Sequence, residues 1–357
     1  MFFKTFGWAL GVTVIALVGA FVLGGPSALA LVAILSILEI SLSFDNAVVN
    51  ATILERMNPA WQKLFLTVGI LIAVFGMRLL FPLVIVGITA HLNPVEVVHK
   101  ALEGGSIHEA GTYANLLHGA HPAIAAFGGM FLLLLFLDFV LEEREIAWLA
   151  WLERPLARIG KLDQLAVVLG LGILVIAAKA FGHTETVLIS GVLGALSYLL
   201  VGGLGDLFEE AGEDDEESAG GNVVLAAGKA AFFLFLYLEV LDASFSFDGV
   251  IGAFAITQDI FIIATGLGVG AMYIRSLTVY LVRKGTLSEY IYLEHGAMWA
   301  IGALATILLI SIKHEVPEVV TGLVGVGFIG LAFMSSLIAK RNADEDDNEP
   351  EPEPVTV

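Results

Sequence analysis

Two short segments of this chain place carboxylates and hydroxyls at matching positions inside apolar sequence, and the first segment ends in an amide. The first runs from Glu39 to Asn46 as EISLSFDN, and the second runs from Asp242 to Gly249 as DASFSFDG. An ionised carboxylate at the centre of a membrane helix costs about 2.5–3.5 kcal/mol on insertion scales, and intramembrane acids usually mark functional sites. Because acids recur at matching positions in both segments, we predict a cation site between two halves of a membrane protein.

The side chains of the two segments offer oxygen ligands of the kinds that hard divalent cations prefer, such as Mn²⁺, Mg²⁺ and Ca²⁺. The chain has no cysteine, which excludes thiolate ligands, disulfides and thiol redox chemistry. Carboxylates alone do not separate manganese from magnesium or calcium. Asp45 and Asp248 are the expected principal ligands, in a predicted metal-binding set of Glu39, Asp45, Asn46, Asp242 and Asp248. The cation is cargo, and no cofactor is expected.

Three further polar side chains are expected to support these ligands. Ser43 and Ser246 would contribute hydroxyls that hydrogen-bond to the ligands. Glu239 lies about one helical turn before Asp242, and Ser36 occupies the matching position of the first segment. We expect Glu239 to be an accessory ligand or a proton carrier.

One arginine follows each segment inside the next apolar stretch. Arg78 lies in the sequence GMRLL, and Arg275 lies in YIRSL. Two roles stay open for them. They could neutralise the acids when the cation is absent, which suits alternating access, or they could be permanent structural partners. In the simplest structural alternative the acids do nothing except pair with these arginines, although four segment acids exceed what two arginines need.

The composition requires a membrane fold to position these groups. Mean hydropathy is +0.89, and 15% of residues are charged where about 25% is usual in soluble chains. We therefore predict an all-α polytopic membrane protein with about ten transmembrane helices of roughly 20 residues each. The candidate spans are 6–24, 27–54, 64–90, 122–141, 163–182, 186–205, 223–257, 260–283, 289–311 and 317–339.

The two motif segments fall in the second and seventh of these spans. Because five crossings separate them, the two spans run in opposite directions, which predicts two inverted structural repeats with a site at their interface. The predicted organisation is an N-terminal transmembrane helix (1–26), a first repeat (27–145), linking helices with an acidic loop (146–221), a second repeat (222–339) and a disordered acidic tail (340–357). The first helix is expected to stay uncleaved.

Both motif spans are longer than one membrane crossing requires. A break near Asp45 and another near Asp248 would account for the excess length, because Asn46 and Gly249 tolerate non-helical backbone. The carbonyls freed by such breaks could then bind the cation. The alternative is an unbroken, tilted helix that projects beyond the bilayer.

Charge distribution predicts the orientation and the partners. Eleven Lys and Arg residues fall on one side of the predicted spans and three on the other, which places both termini in the cytoplasm of an inner (plasma) membrane protein. The net charge of −19 comes mostly from acidic stretches at 206–217 and 344–353, so no nucleic-acid surface is expected. The expected partners are a metal ion and the lipid bilayer. The oligomeric state is open, with a homo-oligomer among the alternatives.

The motif residues also resemble those of the tellurite-resistance TerC family, within the lysine-exporter-like superfamily of membrane proteins. The first TerC signature is matched by Glu39, Leu42, Ser43, Asp45 and Asn46, and the second by Asp242, Phe245, Ser246 and Asp248. The arginines match as well, as do Ile310, Lys313 and Pro317. Gly249 departs from the family's usual Ser, and the extra helix pair between the repeats suggests a divergent branch.

The resemblance implies metal-ion export, with manganese as the expected substrate, and a historical link to tellurite resistance. We therefore expect a transporter that exports a divalent cation through a carboxylate-lined midplane site. Two alternatives stay open: a non-transporting membrane scaffold of a stress-response complex, and an exporter of small organic solutes. An enzyme is not expected, because the sequence shows no nucleophile–base arrangement and no nucleotide-binding loop.

Overall fold

The computed structural model describes residues 2–160, 164–213, 228–257, 259–284, 290–314 and 316–346. Several side chains within helices lie outside the described part, including those of Asp45, Ser246 and Asp248. The described residues form α-helices and no strand. The helices are α1 (Phe2–Leu42), α2 (Phe44–Leu54), α3 (Pro59–Leu64), α4 (Phe81–Thr89), α5 (Pro94–Glu103), α6 (Tyr113–Leu141), α7 (Ala150–Ile159), α8 (Leu165–Phe181), α9 (Thr184–Glu213), α10 (Gly228–Ile256), α11 (Ile260–Lys284), α12 (Leu293–Ser311) and α13 (Glu318–Asp346).

Six helical segments of the described part are long and apolar enough to cross a membrane. The prediction of an all-α polytopic membrane protein is therefore confirmed. The number differs from the predicted ten partly because one segment, Thr5–Ile40, unites two predicted spans, and because Leu165–Phe181 and Thr184–Leu200 are shorter apolar helices. The six are Thr5–Ile40, Ile72–Thr89, Tyr113–Leu141, Ile260–Lys284, Leu293–Ser311 and Val320–Arg341.

A kink divides α1 into two arms. Gly25 has φ 72° and ψ −165°, a backbone region that glycine adopts without a steric penalty. Pro26 follows within the same helix and lacks the amide proton needed to continue the hydrogen-bonding pattern. The kink coincides with the predicted boundary between the N-terminal helix and the first repeat.

The first motif helix is interrupted, as predicted, but the second is not. Ser43 separates α1 from α2 with φ −98° and ψ 17°, immediately before Phe44. In contrast, α10 is continuous from Gly228 to Ile256, so the predicted break near Asp248 is wrong. Gly249 has another use: a Cβ at this position would lie 3.0 Å from Oε2 of Glu39. The glycine thus permits the close approach of a carboxylate, and the helix has no need to open there.

The helix that follows the first motif has unusual backbone hydrogen bonding. Two π-helical segments, Phe65–Gly69 and Ile72–Leu80, join α3 to α4. A π-helix pairs residue i with residue i+5, is rare, and is frequently found at functional sites. Arg78 belongs to the second of these segments.

Neighbouring helices run in the directions that inverted repeats require. The second arm of α1 runs parallel to α11, because Leu35 approaches Gly266 and Glu39 approaches Gly270. The α3–α4 region likewise runs parallel to α10: the Trp61 ring lies 6.4 Å from that of Phe232, and further along both helices Gly69 approaches Glu239. In two inverted repeats, each motif helix is parallel to the second helix of the other repeat, and both observed pairings fit that prediction.

Several segments that we predicted as loops are helical. Residues 91–121, predicted as a loop, contain α5 and the beginning of α6, which starts at Tyr113. Helix α9 continues to Glu213 and α13 to Asp346, so both extend into the predicted acidic loop and tail. Residues 214–227 and 347–357 lie outside the described part.

Candidate cation site

The two motif segments meet inside the protein. Asn46, at the start of α2, donates a hydrogen bond from Nδ2 to Oδ1 of Asp242 in α10 at 2.9 Å. Both side chains are buried, with 1% and 2% of their surface exposed. Residues from the two halves of the sequence therefore share one buried polar cluster.

The guanidinium of Arg78 lies between one acid of each motif segment. It donates from Nη2 to Oε1 of Glu39, and its Nη1 lies 3.8 Å from Oδ2 of Asp242. The same Nη1 also donates to the carbonyl oxygen of Ala73 at 2.8 Å, five residues earlier in the π-helical segment. Arg78 is thus held by one strong carboxylate contact, one backbone carbonyl and a more distant second carboxylate.

Arg275 has more contacts than Arg78. It binds Glu239 with both terminal nitrogens, Nη1 to Oε1 at 2.8 Å and Nη2 to Oε2 at 3.0 Å, and Nη2 also reaches Oδ2 of Asp242 at 3.2 Å. Its guanidinium carbon lies 4.1 Å from the centre of the Phe65 ring, a cation–π distance. Bidentate arginine–carboxylate pairs are both strong and geometrically specific, so Arg275 is tightly fixed.

Two glycines make room for these charged groups. A Cβ at Gly69 would lie 2.6 Å from Nη1 of Arg275, and a Cβ at Gly270 would overlap Cβ and Cγ of Glu39. Neither glycine was among the sequence-predicted site residues. The spacing of Gly266 and Gly270 indicates close helix packing, but sequence alone does not say that the packed group is a carboxylate.

The described part of the cluster contains more acids than bases. Glu39, Glu239 and Asp242 are paired with Arg78 and Arg275, which leaves one negative charge when all five are ionised. Among the described residues, no group of three or more acids or histidines is positioned to hold a metal ion, since the arginines stand between the acids. The predicted principal ligands Asp45 and Asp248 lie outside the described side chains, as does Ser246.

The remaining predicted residues take the following places. Ser43 donates from Oγ to Oε1 of Glu39 at 3.3 Å, the supporting role predicted for it. Glu239 was predicted to be an accessory ligand or a proton carrier, and both of its carboxylate oxygens bind Arg275. The counterpart of Glu239, Ser36, donates from Oγ to the carbonyl oxygen of Gly266 at 3.1 Å.

Sequence reasoning missed Asn50, which lies one turn after Asn46 on α2. Asn50 is 1% exposed, and neither its amide nitrogen nor its amide oxygen has a hydrogen-bond partner among the described residues. Positions i and i+4 share one face of a helix, so Asn46 and Asn50 form a buried amide pair along α2. The sequence signal that could have identified Asn50 was the presence of two asparagines four residues apart inside an apolar stretch.

A cavity of about 740 Å³ lies at the C-terminal end of α2. Its walls contain both polar and apolar residues. The polar ones include Thr52 of α2 and Arg56 just after that helix, together with Asp138 of α6 and Glu294 of α12. Burial raises the pKa of neighbouring Glu55, and repulsion from Glu294 raises it further. Helix α2 therefore extends from the buried cluster at Asn46 to a polar cavity at its opposite end.

Comparison with protein families gives a match over most of the chain. The model of a family described as "Protein of unknown function (DUF475)" matches residues 44–343. The match includes both arginines and the whole second motif segment, and it begins at Phe44, after Glu39. No curated protein and no solved structure matches the chain significantly.

Proposed function

The chain belongs to the DUF475 family of proteins of unknown function. We propose, from the residues and geometry of the buried cluster, that it is a membrane transporter which exports a divalent metal cation. The observation that supports this proposal best is the position of Glu39 and Asp242. These two acids come from opposite motif segments and lie on either side of one guanidinium group. A cation bound there would contact both halves of the protein at once.

The burial of the cluster also favours transport. Charged groups inside a membrane protein are costly and usually mark an ion or proton pathway. Replacing a buried ion pair by apolar side chains is often neutral or stabilising, so stability alone does not require five charged groups here. In transporters built from inverted repeats, the substrate binds between the repeats, and relative motion of the repeats exposes it to each side in turn.

Mn²⁺ is the substrate we propose, on the strength of the TerC resemblance. The oxygen-only ligand set fits Mn²⁺ and equally allows Mg²⁺ and Ca²⁺, so the resemblance decides among them. The proposed ligands are Asp45 and Asp248, with Glu39, Asp242 and Asn46 beside them. In this proposal the protein lies in the inner membrane with both termini in the cytoplasm, as the Lys and Arg distribution indicates.

The test is Mn²⁺ flux into liposomes that contain the purified full-length protein. We expect flux with the native chain and at least a tenfold loss in Asp45→Asn and in Asp248→Asn, because each removes one charge from the binding site. Asp259→Asn is the matched control. Asp259 is exposed, and its carboxylate accepts hydrogen bonds from the amides of Phe261 and Ile262 at the start of α11, which an asparagine oxygen can replace.

Either of two results would contradict the proposal. One is the absence of flux for Mn²⁺, Mg²⁺ and Ca²⁺ with the native chain, with or without a pH gradient. The other is a native rate of flux in both motif variants, which would remove the carboxylates from the transport mechanism.

A further inference from the structure

We propose that the two intramembrane arginines have different roles: Arg78 occupies the cation position and is displaced when the cation binds, whereas Arg275 is a fixed positioning residue. This inference rests on the proposed transport function and adds a regulatory element to the same site. From sequence, the roles of counter-charge and structural partner were open for both arginines alike. Their surroundings in the structure separate them.

Moving Arg275 would require many favourable contacts to be broken. Its guanidinium makes hydrogen bonds to three carboxylate oxygens of Glu239 and Asp242 and lies over the ring of Phe65. The absence of a side chain at Gly69 lets the helix that contains this glycine pack directly against the guanidinium. Displacing Arg275 would break all of these contacts at once and would leave Glu239 buried without its counter-charge.

Arg78 has fewer contacts to lose. Among the described side chains, the one carboxylate hydrogen-bonded to it is that of Glu39, and Asp242 lies at the longer distance of 3.8 Å. Its remaining partner, the carbonyl oxygen of Ala73, belongs to the same π-helical segment. Because Ala73 belongs to the same segment as Arg78, this hydrogen bond does not tie Arg78 to the acids.

The charges agree with an exchange of Arg78 for a divalent cation. With both arginines in place, the described acids leave one net negative charge. If a divalent cation replaces the single charge of Arg78, the net charge of these five groups changes from −1 to zero, and any charge on Asp45 and Asp248 would favour the cation further. When the cation leaves, the guanidinium returns and prevents Glu39 and Asp242 from facing each other unscreened.

The test compares Arg78→Gln with the matched variant Arg275→Gln in the full-length protein. Mn²⁺ binding to detergent-solubilised protein is measured from the free-ion electron paramagnetic resonance signal, and flux is measured in liposomes. For Arg78→Gln we expect about tenfold tighter binding, because the competing charge is gone, together with a lower KM and a lower kcat, since nothing replaces the departing cation. For Arg275→Gln we expect a lower melting temperature and no gain in affinity.

Arg78→Lys keeps the competing charge, and we expect it to raise the affinity for Mn²⁺ by a smaller factor than Arg78→Gln does. It also serves as the decisive variant if Arg78→Gln fails to fold: the melting temperature identifies that case, and a shorter lysine that competes less well should then raise the affinity by a smaller factor.

The outcomes separate this inference from the transport proposal. If the native protein neither binds nor moves Mn²⁺, Mg²⁺ or Ca²⁺, the proposed function fails and the inference fails with it. If the native protein transports Mn²⁺ but Arg78 variants bind it no more tightly, only the displacement of Arg78 is overturned. Equal gains in affinity for Arg78→Gln and Arg275→Gln would overturn the difference between the two arginines.

Discussion

Glu239 makes the two halves of the cluster chemically unequal. It gives Arg275 a bidentate partner, while Ser36 at the matching position of the first half bonds to a backbone carbonyl. Removing one member of a buried ion pair typically costs about 3–5 kcal/mol, because the remaining charge is left uncompensated. Arg275 is therefore hydrogen-bonded to two acids, whereas Arg78 is hydrogen-bonded to Glu39 and lies 3.8 Å from Asp242.

Asn50 also allows a test of whether the amide of a single buried side chain binds water or an ion. Neither end of its amide is hydrogen-bonded to a described residue, and such an unsatisfied group costs about 1–3 kcal/mol. We expect Asn50→Leu to raise the melting temperature by a few degrees, as measured by thermal unfolding in detergent.

Thr278→Val is the matched control for Asn50→Leu. Thr278 is fully buried, and its hydroxyl donates to the carbonyl of Ile274 at 2.9 Å, so the change removes a satisfied bond and should not stabilise the protein. A fall in melting temperature for Asn50→Leu would contradict the prediction and would mean that the amide binds water or an ion.

At the scale of single elements, contact between α1 and α11 depends on the absence of side chains. Gly266 brings the backbone of α11 against Leu35, and Gly270 brings it against Glu39. Because the second contact holds a charged residue of the cluster, helix packing and site geometry are set by the same glycine.

We expect Gly270→Ala to destabilise the protein by about 1–3 kcal/mol, since the new methyl group overpacks a close contact. We also expect it to reduce Mn²⁺ flux, because Glu39 must shift. Gly330→Ala in α13 is the control: a Cβ at this position would have no atom within 4 Å, so this change should leave both melting temperature and flux at native values or slightly raise the stability. Unchanged flux in a folded Gly270→Ala protein would contradict the expected link between packing and site.

Sequence reasoning grouped polar residues that the structure brings together, and it was weaker on backbone geometry. Asn46 and Asp242 were predicted to belong to one cation site because the two motif segments match, and they are hydrogen-bonded to each other, while cation binding by them stays a prediction. The same reasoning expected Gly249 to break α10, but glycine is also used for close approach, and only the position of Glu39 decides between the two uses. The π-helical segments give no pattern of hydrophobicity that differs from an α-helix, so the hydrogen bond from Arg78 to Ala73 could not be predicted.

On the scale of the whole molecule, the two halves make reciprocal contacts. Gly69 and Gly266 each lie nine residues before an arginine, and each approaches the residue that precedes the first motif acid by three positions, Glu239 and Ser36 respectively. Such paired contacts are what a two-fold relation between inverted repeats produces.

The acidic C-terminus separates transport from a scaffold function at this scale. Helix α13 is described to Asp346, so deleting residues 347–357 removes acidic sequence and leaves all described residues of this helix in place. We expect Mn²⁺ flux in liposomes to stay within about twofold of native, because the proposed site lies in the membrane. Loss of a cellular metal-resistance phenotype with flux intact would instead favour docking by the tail.

The π-helical segment around Arg78 also stores one extra residue within a helix. If that extra residue shifts along the segment, each residue it passes moves relative to its neighbours by one helical position, which corresponds to about 100° of rotation and 1.5 Å of rise. Such a shift does not require the helix to unfold, because each backbone N–H and C=O group forms a new hydrogen bond with a residue one position along the chain. A register change of this kind would turn Arg78 away from Glu39 and Asp242 while both ends of the helix stay in position.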